Sequence, residues 1–180
     1  MGRPPQITRS QILRTSLALA DERGLAAVTM HAVATRLGVT PMALYRHVGA
    51  KADLLDGIVE SLLDELPAVA PSRWDRQLAA MGQALREVAR RHPTVFPLLL
   101  QRPATTPGAR VTRDRVYAVL RTAGIAPRHV VRVERLITTL ALGFAAGEAT
   151  GRFPGSRAAL DRDYRALVTF VTAGMAPFTA

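Results

Sequence analysis

The stretch Thr29-Met30-His31-Ala32-Val33-Ala34-Thr35-Arg36-Leu37-Gly38-Val39-Thr40-Pro41-Met42-Ala43-Leu44-Tyr45-Arg46-His47-Val48 decides the fold. It predicts two short helices joined by a tight turn. Thr29 is a good N-cap, and Met30, Val33, Ala34 and Leu37 then recur at the spacing of one apolar helical face. Gly38 stops the first helix, because glycine enters the left-handed region without a side-chain penalty. Thr40 is placed to cap the second helix, and Pro41 fits its first position, where a missing N–H costs nothing. Leu44 and Val48, one turn apart, face back toward the first helix. Helix, turn and second helix is the arrangement that sets a recognition helix in a DNA major groove.

The flanks support an entirely helical chain. Thr8 and Gln11 have capping-box spacing and open a helix to about Arg23, closed by Gly24, with Ile12, Leu13, Leu17 and Ala20 inward. Residues 1–7 are too proline-rich to start a helix and read as an arm whose Arg3 can reach DNA. A long helix follows from about Lys51 to Leu66, with Leu54, Leu55, Ile58, Val59, Leu62, Leu63 and Leu66 repeating at three and four. Pro67 and Pro71 mark the end of that helix. The expected organisation is a helix-turn-helix domain with its arm over 1–48, a connecting helix over 49–66, and a second helical domain over 67–180.

In that second domain Ser72 and Asp75 suggest another capping box, opening a helix to about Arg91. His92-Pro93 breaks it, and a short helix lies within 95–100. Helices are expected at about 109–122, 127–147 and 157–175. No segment alternates with strand period. The prediction is an all-α fold of about nine helices.

The 180 residues carry 24 Lys and Arg against 14 Asp and Glu, a net charge of +10. Seven of the basic residues and only two of the acidic ones fall within the first 51 positions. That density favours an acidic partner, with nucleic acid first. There is no cysteine, which removes disulfides, thiolate catalysis and most structural zinc sites. The four histidines, His31, His47, His92 and His129, form no pair at metal spacing, and no nucleophile elbow or phosphate-binding glycine loop is present. No catalytic residue, metal or cofactor is therefore assigned. Absence of a signal-peptide core and of a long apolar run favours a cytoplasmic location.

Turning the second motif helix by about 100° per residue from Leu44 puts Met42 and Arg46 within about 20° of the opposite face and Tyr45 on its flank. Arg46 can pair bidentately with guanine, and Met42 can pack on a thymine methyl. Tyr45 and His47 reach toward phosphate, as do Thr29 and Thr40 at helix N-termini. His31 faces away from the apolar side. Lys51 is the chain's one lysine and sits in a helix first turn, where the macrodipole disfavours a cation unless a phosphate is bound.

The Thr29 cap, Leu37-Gly38-Val39, Leu44-Tyr45-Arg46-His47-Val48 and Lys51 before Leu54-Leu55 together resemble the DNA-binding domain of the TetR family of bacterial transcriptional regulators. The resemblance implies operator contacts from Thr29, His31, Thr40, Pro41, Met42, Tyr45, Arg46, His47 and Lys51. It also implies a two-fold dimer and a C-terminal half that binds a small molecule. The run from His92-Pro93 through the last helices is similar to the tetracycline-repressor type of C-terminal domain, but residues 93–128 hold no histidine. A tetracycline–magnesium effector is thus not implied.

The C-terminal residues themselves suggest where partners sit. From Leu136 onward the helix at 127–147 is apolar nearly all round, so a second surface must cover it. Gly143, Ala146 and Gly147 allow a close helix approach, and Leu160, Tyr164, Leu167, Val168 and Val171 offer an apolar face. Two helices per subunit then make a four-helix dimer core. Met81, Leu85, Phe96 and Leu99, with Tyr117, Leu120, Leu140 and Phe144, are candidates to line a largely apolar effector pocket, anchored by Glu134 or Arg135. The expected function is a homodimeric repressor released from a palindromic operator by a small molecule. The alternative is a helical ligand-binding or enzymatic dimer without DNA function.

Overall fold

In the computed structural model of the chain, residues 7–102 and 105–179 are described. Among them lie nine α-helices: α1 (Arg9–Arg23), α2 (Met30–Leu37), α3 (Pro41–Val48), α4 (Lys51–Asp64), α5 (Trp74–Arg91), α6 (Leu98–Gln101), α7 (Pro107–Thr122), α8 (Val130–Ala149) and α9 (Arg157–Gly174). Three single 3-10 turns, at Leu25–Ala27, Pro127–His129 and Ala176–Phe178, complete the described elements. None of these helices is long and apolar enough to cross a membrane. The arm expected at the N-terminus, Arg3 included, falls outside the described residues except for Ile7.

Helix boundaries follow local chemistry where a cap forms. The Thr8 hydroxyl accepts from Gln11 N–H at 3.2 Å, and the Gln11 side chain accepts from Thr8 N–H at 2.9 Å, the reciprocal pair expected. Two other caps differ from expectation. Thr40 holds the N-cap position of α3, but its side chain makes no capping bond. The helix expected from Ser72 starts at Trp74 with Arg73 as N-cap, and Asp75 pairs with the Arg73 guanidinium and accepts from Arg76 N–H at 2.9 Å rather than from Ser72 N–H. The expected segment at 127–147 begins with the 3-10 turn Pro127–His129, and α8 itself runs on to Ala149.

α1, α2 and α3 close on α4, whose Leu54, Ile58, Val59 and Leu62 are buried. Each such aliphatic side chain contributes about 1.5–3 kcal/mol on burial. The same core continues past the proline segment at 67–71. Val88 and Ala89 of α5, Val95, Phe96 and Leu98, and Ala145 and Ala146 of α8 belong to the cluster that holds Ile12 and Leu44. A second, smaller core joins Leu120, Ile125, Val130, Val133 and Met175 at the far end. α5 and α8 form the most extensive helix pair and make the spine of the C-terminal half.

Candidate nucleic-acid interface and interior cavity

The motif forms as two helices around Gly38, which takes φ 67° and ψ 32°. Its N–H donates to Thr35 O at 3.2 Å, and Val39 N–H reaches back to Ala34 O at 3.0 Å, which ends α2 in a left-handed turn. Thr29 caps α2 by accepting from Ala32 N–H at 3.0 Å. α2 buries Met30, Val33 and Ala34, and α3 buries Leu44 and Val48. Arg36 pairs with both oxygens of Glu22 at 2.6 Å, which ties the outer side of α2 to α1. That bond is the main reason the Glu22 carboxyl lies below its ordinary range.

With Leu44 inward, the opposite face of α3 meets solvent. Met42 is 66% exposed, and Tyr45, Arg46 and His47 are exposed beside it. Thr29, His31, Thr40 and Lys51 are exposed too, while Pro41 is half-buried. The side chains of Arg46, His47 and Lys51 enter no ion pair among the described residues, although acidic residues pair with other arginines throughout the chain. Lys51 is the first residue of α4, after Ala50, whose N–H donates to Asp53 Oδ2 at 2.8 Å. The exposed residues of α2, α3 and the start of α4 thus include an arginine, a lysine, two histidines, a tyrosine, hydroxyls and a methionine.

Beyond α4 the C-terminal helices border a cavity of about 500 Å³ that is partly open to solvent. Val59, Leu63 and Leu66, on and just beyond α4, form one wall, and Leu78, Met81 and Leu85 of α5 another. α8 contributes a stripe of Glu134, Ile137, Thr138 and Ala141, and α9 supplies Leu167, Val168 and Val171. α4 thus packs into the DNA-side core and also borders the cavity.

Of the eight expected lining residues, Met81, Leu85 and Leu99 line the cavity. Phe96 and Leu120 do not, because each is wholly buried in solid core. Tyr117 packs on the smaller core, Leu140 points outward, and Phe144 lies against Phe153 and Tyr164 at ring-centre distances of 5.5 and 5.7 Å. Between the two proposed anchors, Glu134 lines the cavity and Arg135 is exposed.

The expected subunit surface also needs correction. Tyr164 is buried and donates its hydroxyl hydrogen to Ala79 O at 3.3 Å, and burial pushes its pKa up to about 12. Leu167, Val168 and Val171 turn inward to the cavity, and Leu160 is half-buried. Ala146 and Gly147 are buried, with the Phe153 ring 2.6 Å from where a Gly147 Cβ would sit. Gly143 alone of that set is exposed with open space above it. The large apolar residues exposed on these two helices are Val131, Leu136 and Leu140 of α8, with Leu136 51% exposed, and Phe170, 70% exposed, on α9.

Two polar clusters escaped the sequence reading. Arg86 is 2% exposed and bonds Glu148 at 2.7 and 3.0 Å and Asp161 at 2.9 Å, with its guanidinium 4.3 Å from the Tyr164 ring centre. Arg90 bonds the same Glu148 at 2.6 Å. Burial alone raises the Glu148 pKa, but the two guanidinium groups outweigh it and hold the carboxyl below its ordinary value. His92, just past α5, sets Nδ1 2.7 Å from Asp21 of α1 and Nε2 3.0 Å from Glu65 beyond α4. No local pattern signals the first cluster, because Arg86 and Glu148 lie 62 positions apart. The sequence marks His92 as a helix breaker and as no metal ligand, and does not reveal its two carboxylate partners.

Comparison with known proteins agrees with this geometry. The model for bacterial regulatory proteins of the tetR family matches residues 12–58, and the tetracyclin repressor-like C-terminal domain matches residues 78–171. An HTH-type transcriptional regulator of Saccharopolyspora erythraea is 29% identical over 90% of this chain and 71% of its own length. The HTH-type transcriptional repressor DrrR1 of Streptomyces coeruleorubidus is 29% identical over 80% of this chain, which spans 54% of that relative. Among solved structures, Streptomyces coelicolor ActR in complex with actinorhodin superposes with a TM-score of 0.84 at 23% identity, covering 96% of each chain. BioQ on its double-stranded DNA operator superposes with a TM-score of 0.78 at 24% identity, covering 93% of this chain and 99% of that one. With the helix-turn-helix matched by one family model and more than half of the residues by another, the chain belongs to the TetR family of bacterial transcriptional regulators, a family of DNA-binding proteins and not of enzymes.

Proposed function

We propose that this regulator is a cytoplasmic homodimeric repressor that leaves a palindromic operator when a small molecule fills its C-terminal cavity. The exposed face of α3, whose Arg46 enters no ion pair among the described residues, carries the DNA half of the reading. In it, Met42 and Arg46 meet base edges. Tyr45, His47, Lys51, Thr29, His31 and Thr40 hold phosphates, and Pro41 fixes the first turn of the reading helix. The free Thr40 hydroxyl is available for that contact because it caps nothing. The structural likeness to BioQ on its operator supports a duplex as partner, and the likeness to ActR with actinorhodin supports a small-molecule effector.

The dimer surface in this reading is the outer face of α8 and α9, with Leu136, Leu140 and Gly143 against Phe170 and their two-fold copies. Two reading heads set about 34–36 Å apart then meet successive major grooves. Coupling runs through α4, because Val59 and Leu63 border the cavity while Leu54, Ile58 and Leu62 key into the helix-turn-helix core. Expansion of the cavity displaces α4 and changes the separation of the two heads, at a coupling of about 1–3 kcal/mol.

Selection of bound duplexes from a random pool tests the reading. A two-fold symmetric sequence with half-sites about one helical turn apart is expected, with binding that weakens steeply as salt rises. Full affinity after combined Arg46→Ala and Lys51→Ala replacement would overturn the assignment of the surface.

A further inference from the structure

We propose that the interior cavity takes an amphipathic organic cation, its ammonium group on the Glu134 carboxylate and its apolar body among the aliphatic walls. The inference rests on the effector-binding reading above and names the chemical class of that ligand.

Glu134 lies on the stripe of α8 that continues as Ile137, Thr138 and Ala141, all of which line the cavity. Its carboxylate is half-buried, and one hydrogen bond reaches it, from the Thr138 hydroxyl to Oε1 at 3.2 Å. A carboxylate offers about four lone-pair sites, so most of its capacity is unused. No arginine, lysine or histidine nitrogen comes within ion-pairing distance of it among the described residues. Its helical neighbours three and four positions away are Val130, Val131, Ile137 and Thr138, none of them basic. Glu148, on the same helix, instead receives bonds from two arginines. The fold thus neutralises one interior carboxylate of α8 and leaves the other to the cavity.

The cations that border the cavity are committed or solvated. Arg102 is held by Asp56 and by Ala52 O, Arg113 has a partner of its own, and Arg115 is exposed on α7. Elsewhere the walls are chiefly leucine, valine, isoleucine and methionine, with Tyr164 as the aromatic member and its hydroxyl hydrogen already given to Ala79 O. A neutral apolar ligand displaces water from Glu134 and returns nothing to it, which is unfavourable for a charged group. An anion adds repulsion. An alkylammonium group restores charge-assisted hydrogen bonds while its chain fills the apolar space, so the carboxylate selects for the cation and against its neutral and anionic counterparts.

Three probes with one chain and different head charges separate the outcomes: decylammonium, decanol and decanoate, each below its micelle concentration, titrated calorimetrically into the full-length protein in moderate salt. Decylammonium is expected to bind one site per chain about tenfold or more tighter than decanol, the gain of a charge-assisted hydrogen bond. Glu134→Gln is expected to erase that advantage while keeping the affinity for decanol, which also shows that the variant's cavity is formed. Equal binding of decylammonium and decanol, tighter binding of decanoate, or an advantage that survives Glu134→Gln overturns the cation proposal and leaves an effector cavity in place. Failure of all three probes to bind overturns the cavity reading together with it.

Discussion

The two halves of the chain handle their polar residues in opposite ways. The helix-turn-helix half encloses an almost entirely aliphatic core, Ile12, Val33, Leu44, Leu54 and Ile58, and leaves Arg46 and Lys51 in solvent with no ion pair among the described residues. The C-terminal half does the reverse. It buries Arg86, satisfies it with Glu148 and Asp161, and carries unpartnered apolar residues, Leu136, Leu140 and Phe170, on its outside. In the reading proposed above, each inversion marks a surface that something else completes. Bare cations suit a polyanion, and bare aliphatic and aromatic groups suit a second copy of the chain.

The contrast is sharpest at Arg86. Arg86→Ala leaves the buried Glu148 with Arg90 as its one guanidinium partner and opens a gap beside Tyr164, and we expect it to lower the unfolding free energy by about 3 kcal/mol in denaturant titration. The DNA affinity of the molecules that remain folded should change little. Arg46→Ala should behave the other way. It should cost about 1–3 kcal/mol of operator affinity and relax sequence preference at one position of each half-site, with stability unchanged. Lys51→Ala should weaken all duplexes alike and reduce the salt slope by about one. If Arg46→Ala destabilised the fold as much as Arg86→Ala, the two halves would not differ in the way described.

Two smaller effects refine the comparison. Thr29 and Thr40 stand at equivalent N-cap positions, but only the first makes its bond. Thr29→Ala should therefore cost about 1 kcal/mol of stability, whereas Thr40→Ala should leave the melting temperature in place and weaken DNA binding. Acid should act most strongly where the paired carboxylate is buried, at Glu148 of the C-terminal half. The Glu148 carboxyl is held below its ordinary value of 4.5 in the fold, so the stability it contributes is complete above that value and is lost as pH falls through the lower, folded one. Unfolding followed from neutrality into acid should show this loss below about pH 4.5, and Glu148→Gln should flatten it.

The fold was legible because its signals are local. Thr8 with Gln11, Thr29, Gly38 and the three-and-four spacing of α4 each act within one or two helical turns. The exposed face of α3 was legible for the same reason, since Leu44 fixes the rotation of the helix and the exposure of Met42 and Arg46 follows from about 100° per residue. The C-terminal sites were harder because their helices are apolar on more than one side. A leucine on α8 can face cavity, core or partner, and periodicity does not choose among them, so Leu140 was placed inside and Tyr164 outside. Arg86 was invisible because its partner Glu148 is 62 positions away and no local pattern joins them. Ser72 and Asp75 had the spacing of a cap, yet a neighbouring guanidinium took the carboxylate.

Sharing α4 between two compartments limits how these parts can be exchanged. A chimera that joins this reading head to a relative's sensing half at residues 67–71 would carry Val59 and Leu63 into a cavity they were not shaped for. The same graft cut before Lys51 would bring in a foreign α4 and lose Leu54, Ile58 and Leu62 from the core around α1. Neither seam is neutral. Re-targeting this regulator to a new inducer thus requires redesign of both faces of one fourteen-residue helix rather than the choice of a better junction.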